Sequence, residues 1–233
     1  MMRYIGLDGC KTGWIVVAWD GKDKWEIRLI PEVSDLPTHY PTPHQILVDI
    51  PIGLPYRHPR LCDGAARKVL TRLRGSSVFP VPSRQSLQAP DYPTACEVNL
   101  GIMNRKLSKQ TWNIGNKILE VDRFLQTHDY PMRECHPEVA FWALNKRRPM
   151  PHGKKTSEGQ SDRLQLLQSY WDQSQTMLQH TMKTYMRKEV LADDILDATA
   201  LAIAATFPLQ TLPEKTEIDE VGLPMEIVYP LVN

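Results

Sequence analysis

The order of apolar and polar positions divides this chain into a strand-rich beginning, a helical middle and a helical end. Tyr4 to Leu7 is an apolar run that stops on Asp8, and Trp14 to Trp19 is apolar again, with Gly9 to Gly13 between them as a turn. Residues 3–8 and 14–20 are therefore predicted to form a hairpin. Trp25, Ile27 and Leu29 alternate with polar residues, which adds a third strand and makes an antiparallel meander. Pro31 to Pro43 is a connector with a short helix around Ser34 to Leu36. Gln45 to Ile50 is compact and apolar without alternation, as in a parallel strand covered on both faces. It carries one acid, Asp49, just before Pro51-Ile52-Gly53-Leu54-Pro55, which must be loop.

From Tyr56 to about Asp129 the spacing changes to that of helices. Asp63 reads as the N-cap of a helix over Gly64 to Arg74, with Ala66, Val69, Leu70 and Leu73 on one stripe and Arg67 one turn on from Asp63 to pair with it. Thr94 to Asn104 reads as a helix. Ser108 reads as the cap of a single helix to about Thr127 with Ile114, Ile118, Val121 and Leu125 inward. Pro131 to Cys135 is a short strand, and His136-Pro137-Glu138 opens a helix through Leu144. Residues 146–160 are polar and basic and predict an exposed, mobile loop. Helices follow over Ser161–Trp171 and Ser174–Lys188. The last, Ala192–Thr206, is apolar almost all round after Asp197 and should lie buried on the sheet. A Pro-rich tail ends in a candidate edge strand, Met225–Tyr229. The whole is an α/β pattern of one domain, 1–233, with a helical insertion at about 56–129.

Composition narrows this little. At 233 residues, 42% apolar and 24% charged, the chain is long enough to bury a core without staples. A net charge of +1 creates no global field, so a nucleic-acid partner would need a local basic patch. Cys10, Cys62, Cys96 and Cys135 show no C-x-x-C spacing, which argues against a zinc knuckle and for buried apolar roles. No secretory signal or membrane-length apolar run is present, and a reducing, cytoplasmic setting is the expectation.

Candidate chemistry lies in the acids. Asp8 and Asp49 end apolar strands, Asp193-Asp194-x-x-Asp197 starts the last helix, and Glu134 and Glu138 flank His136 near a fourth element end. A carboxylate at the end of a buried strand is costly unless paired or metal-bound, and several on one sheet edge repel unless a cation lies between them. Hard ions such as Mg2+ or Mn2+ favour such oxygen ligands. Two of them, roughly 3.5–4 Å apart, can activate water and stabilise the leaving oxygen of a phosphodiester. Each acid also has a plainer reading: Asp8-Gly9 is turn chemistry, Asp49 a strand end, and Asp193 and Asp194 helix caps. Asp197, one turn inside an apolar helix, is the hardest to read that way.

A larger pattern joins them. Gly6-Leu7-Asp8-Gly9-Cys10-Lys11-x-Gly13-Trp14, Asp49-Ile50-Pro51-Ile52-Gly53-Leu54-Pro55, Cys62-Asp63-x-x-Ala66-Arg67, Ser77-Val78-Phe79 with Pro82-x-Arg84, Glu134-Cys135-His136-Pro137-Glu138-x-x-Phe141, Lys154-Lys155-Thr156-x-x-Gly159 and Asp193-Asp194-x-x-Asp197-Ala198 follow in order over nearly the whole chain. In this the chain resembles a family of predicted RNase H-fold nucleases, otherwise catalogued as a domain of unknown function. The resemblance implies a five-stranded mixed sheet flanked by helices, as in Holliday-junction resolvases. It implies metal ligands from the first strand, the fourth strand and the last helix: Asp8, Asp49, Asp194 and Asp197, with Mg2+ or Mn2+ as cofactor. Asp49 is a departure, since many such nucleases carry the longer Glu there.

Around these four, Glu134, His136 and Glu138 are candidates for a further ligand or a general acid. Lys154 and Lys155 are candidates for phosphate contact, with Lys146-Arg147-Arg148 and Arg163 as a basic rim. The expected activity is metal-dependent hydrolysis of DNA or RNA phosphodiester bonds. Two alternatives stand beside it: a phosphotransferase of the sugar-kinase and actin-like ATPase type, whose phosphate turn Asp8 to Gly13 is similar to, and a non-catalytic nucleic-acid-binding module.

Overall fold

The hairpin and meander are present in a computed structural model that describes residues 3–232. β1 (Tyr4–Cys10) pairs antiparallel with β2 (Gly13–Trp19), and β2 with β3 (Trp25–Ile30). β4 (Gln45–Val48) lies parallel to β1 on its other side, and β5 (Met132–Glu134) parallel to β4. The sheet order is β3-β2-β1-β4-β5, a mixed sheet with an antiparallel meander and two parallel pairs. With helices on both faces, this is the RNase H-like arrangement.

Strand alternation decides what each face carries. Ile5, Leu7, Ile46 and Val48 join Ile118, Val121 and Phe124 on one side. Ile15 and Val17 face Phe141, Leu196, Ala200 and Ile203 on the other, where Leu47 meets Leu201 and Ala204. The second face is covered by α7 (Pro137–Leu144) and the last helix, α10 (Ala192–Ala204) in chain order. Gly6 is what lets α10 come down on β1: a Cβ there would lie 1.8 Å from the carbonyl oxygen of Ala198.

Between β4 and β5 run α2 (Leu61–Arg74), the short α3 (Arg84–Leu87), α4 (Tyr92–Met103), α5 (Lys109–Asn113) and α6 (Gly115–Thr127), after a one-turn α1 (Leu36–His39). Four local expectations are corrected here. Asp63 does not cap α2. The helix starts three residues earlier, after Arg60, whose side chain pairs with Asp63 three residues on. Arg67 instead donates to the Val78 carbonyl. The stripe of α2 fails at Leu73, which is 49% exposed, because Thr71 has φ 57° and resets the helical phase. The helix expected over 108–127 is two, broken at Ile114 before Gly115, the poorest helix former after proline.

The loop at 146–160 is pinned rather than exposed throughout. Met150 is buried, Arg74 donates to the carbonyls of Met150 and Pro151, and Arg163 to that of His152. α8 (Ser157–Gln168) begins four residues before the expected start, capped by the Thr156 hydroxyl, and α9 (Ser174–Thr184) follows. The tail holds two strands, not one. β6 (Leu209–Ile218) and β7 (Pro224–Pro230) form a separate antiparallel sheet with an irregular register between Leu212 and Glu217. Its prolines masked β6 in the sequence, since proline suits only edges and bulges. All four cysteines are buried and free. No helix among the described residues is long and apolar enough to cross a membrane.

Candidate metal centre

The same alternation that builds the core gathers the acids. Asp8 lies two residues beyond Gly6 and so points to the α10 face of β1. Asp49 lies two beyond Leu47, on that same face of β4. The parallel ladder aligns Leu7 with Val48 and continues with the Asp49 amide donating to the Leu7 carbonyl at 2.9 Å, so Asp8 and Asp49 leave adjacent strands side by side. Asp197 immediately precedes Ala198, whose backbone rests on Gly6. One oxygen from each of Asp8, Asp49 and Asp197 lies within 4.8 Å of the other two.

These three are crowded and short of water. Asp8 and Asp197 are buried, and Asp49 is partly accessible. Burial, then Asp49 and Asp197, hold the Asp8 carboxyl well above the usual carboxylate range. Burial lifts Asp49 to about 6 and Asp197 to about 7, in each case against the pull of Lys154. Lys154 is inserted among them, its Nζ donating to Asp197 Oδ2 at 2.6 Å. Burial opposes its charge, but Asp197, Asp8 and Asp49 outweigh that and raise its pKa. Three carboxylates thus share one ammonium.

The other candidates divide. Asp194 lines the same cleft one turn before Asp197, with Oδ2 accepting from the Leu191 amide at 2.9 Å as a helix cap. Glu138 is buried at the first turn of α7. Its Oε1 accepts from Arg163, while its Oε2 is buried without a hydrogen-bond partner, and the residue borders the depression that Asp49, Lys154 and Asp197 also line. Glu134 is committed elsewhere. Arg60 grips it in a fork, Nη1 to Oε2 at 2.7 Å and Nη2 to Oε1 at 2.8 Å, and the Ile52 amide donates to Oε2. His136 caps α7, its Nδ1 accepting from the Glu138 amide, and burial lowers its pKa, which keeps the ring neutral. Its other nitrogen lies 3.4 Å from the Ser77 carbonyl.

The basic rim does not form as a unit. Arg163 is fully buried against Glu138, Lys146 and Arg147 border a different depression, and Lys155 borders a third beside Asp193. One cation the sequence reading passed over is at the centre. Lys117 of α6 crosses Gly9, where a Cβ would meet its side chain at 2.9 Å, and donates to the Gly13 carbonyl at 2.5 Å, over the Trp14 ring. Nothing local in the sequence marks Lys117, because its role depends on α6 docking beside the β1–β2 turn. Arg60 did leave a trace, its three-residue spacing from Asp63.

The donor set suits a hard divalent cation. Oxygens on opposite sides of Mg2+ stand about 4.2 Å apart, so oxygens within 4.8 Å need only small rotations to share one ion. The unpartnered Glu138 oxygen on the same cleft is a further hard donor. The family described as "Protein of unknown function (DUF429)" matches residues 6–217. No curated protein and no solved structure matches the chain.

Proposed function

The chain belongs to the DUF429 family, and from that premise we propose that it is a metal-dependent hydrolase of nucleic-acid phosphodiester bonds. The observation that carries this reading is the convergence of Asp8, Asp49 and Asp197, each from a different element, with too little positive charge to balance them. Asp8, Asp49 and Asp197 would hold Mg2+ or Mn2+, with Glu138 Oε2 as the next available donor. A cation held there supplies Lewis-acid stabilisation of phosphoryl oxygens and a lowered proton affinity for an attacking water. Asp49, the most accessible of the three, faces the incoming phosphate. Lys154 stands beside the same oxygens and is placed to meet a phosphate once a cation takes over the aspartates. Lys117 fixes the β1–β2 turn, which sets the position of Asp8.

The test is Mn2+ binding by calorimetry, with cleavage of single-stranded, duplex and branched substrates. Asp8→Asn and Asp197→Asn should each weaken Mn2+ binding at least about 100-fold and remove Mn2+-dependent cleavage, with an unchanged circular dichroism spectrum. Mn2+ binding equal to wild type in both variants refutes the site. ATP-dependent phosphate transfer to a small molecule would favour the kinase-like alternative.

A further inference from the structure

The acids do not lie on an open sheet edge, as they would need to for a broad substrate to reach them. Residues from 76–81 and from α5–α6 of the insertion line the same depressions as the acids and supply a second wall. Two depressions meet there and share Asp49, Phe79, Gln110, His136 and Lys154, so they are the halves of one cleft with the acids at the junction. The inner half, about 220 Å³, has Val78, Phe79, Val81 and Ile114 on its wall and the ion-paired Arg60, Asp63 and Glu134 on its floor. The outer half, about 320 Å³, carries Arg74, Ser76 and Ser77 beside Leu73 and Pro137.

Each half is at or below the lower end of small-molecule pockets, roughly 300–1,000 Å³, and admits a ring system or a sugar-phosphate but not paired strands. The apolar wall of Val78, Phe79, Val81 and Ile114 matches the faces of a nucleobase. Phe79, partly exposed, offers a ring to stack on. The charge count agrees. Of the cations lining the cleft, Arg60 is held by Asp63 and Glu134, Lys117 by the Gly13 carbonyl and Arg74 by the Met150 and Pro151 carbonyls, which leaves Lys154 as the main cation to track a backbone.

Resting on the metal-site reading, we infer that the substrate is a single-stranded nucleic acid, one unpaired base entering the inner chamber against Phe79 and its phosphate lying at Asp49 and Lys154. Duplex is excluded by the second wall.

The test is fluorescence anisotropy with ten-nucleotide oligo(dT) and oligo(U) strands and a blunt ten-base-pair duplex, in Ca2+, across a salt series. Single strands should bind at least about tenfold more tightly than duplex, with a log–log salt slope of about −1 to −2, as for two or so phosphate contacts. Phe79→Leu keeps the packing volume and removes stacking, and should weaken single-strand binding about 5- to 150-fold. Equal or tighter duplex binding, a slope steeper than about −4, no binding of any strand, or an unaffected Phe79→Leu variant overturns the inference. Mn2+ calorimetry on the same wild-type preparation separates the two readings. Mn2+ bound with duplex preferred overturns only the single-strand inference, whereas no Mn2+ bound overturns the site itself.

Discussion

Two buried acidic clusters line one cleft, and they differ in charge balance. Asp63 and Glu134 surround Arg60, which donates to both carboxylates and to the carbonyls of Ile52 and Gly53. Two negative charges meet one fully hydrogen-bonded guanidinium. Among the described residues Asp8, Asp49 and Asp197 have one ion-paired partner, the ammonium of Lys154, and a further acid beside them, Glu138, has an unpartnered oxygen. Asp8 and Asp197 are about as buried as Asp63 and Glu134, so burial of acids does not by itself mark a site. The uncompensated charge and the free lone pairs do.

The strongest way to break the comparison is to unbalance the balanced cluster. Arg60→Met leaves two buried carboxylates without a partner and should cost about 3–5 kcal/mol in chemical denaturation. A loss below about 1 kcal/mol would mean that Arg60 does not neutralise them.

Burial raises the Glu134 carboxyl too, so the second contrast is in how the pH response answers to a cation. The folded-state pKa values of Asp8, Asp49 and Asp197 are raised, the latter two to about 6 and about 7, above their unfolded values near 4. Between those limits the folded protein binds more protons than the unfolded chain, so stability falls as pH rises. In EDTA the Tm should therefore drop from pH 5 to pH 8, and Mn2+ at pH 8 should restore it. The Asp49→Asn, Asp197→Asn double variant should flatten both responses. A wild-type Tm that rises over this range in EDTA more than that of the double variant would contradict the raised values.

A smaller effect tests the internal counter-ion. Lys154→Gln removes the one positive charge among the aspartates, so the metal-free protein should lose stability at pH 8 while Mn2+ binds up to about tenfold more tightly. Weaker Mn2+ binding would make Lys154 a support for the ligands rather than a competitor. Smallest of all, Asp194→Asn keeps a capping oxygen and should shift stability by within about 0.5 kcal/mol, with Mn2+ affinity changing less than tenfold. A loss matching that of Asp8→Asn would move Asp194 into the ligand set.

Much of the frame was legible in the residues themselves. Periodicity marked the meander, the parallel strand ending near Asp49, α7 and α10, because an apolar run of period 2 or 3.6 can bury itself in few other ways. It lost β6, whose Pro213 reads as loop, and the break at Ile114, where the pattern of inward apolar residues ran on past Gly115. Asp8, Asp49 and Asp197 stood out as acids at the ends of buried elements. Their meeting was decided by the ladder register between β1 and β4 and by Gly6 beneath Ala198, contacts between segments far apart in sequence. The opposite fates of Glu134 and Glu138 could not be read four residues apart on one strand–helix turn. Arg60 and Arg163 reach them from elsewhere, one saturating its carboxylate and the other leaving an oxygen free. The sequence alone determined which acids end buried elements; charge balance, and with it which of them remain open to a cation, was decided only by the tertiary structure, because compensation acts through space and not along the chain.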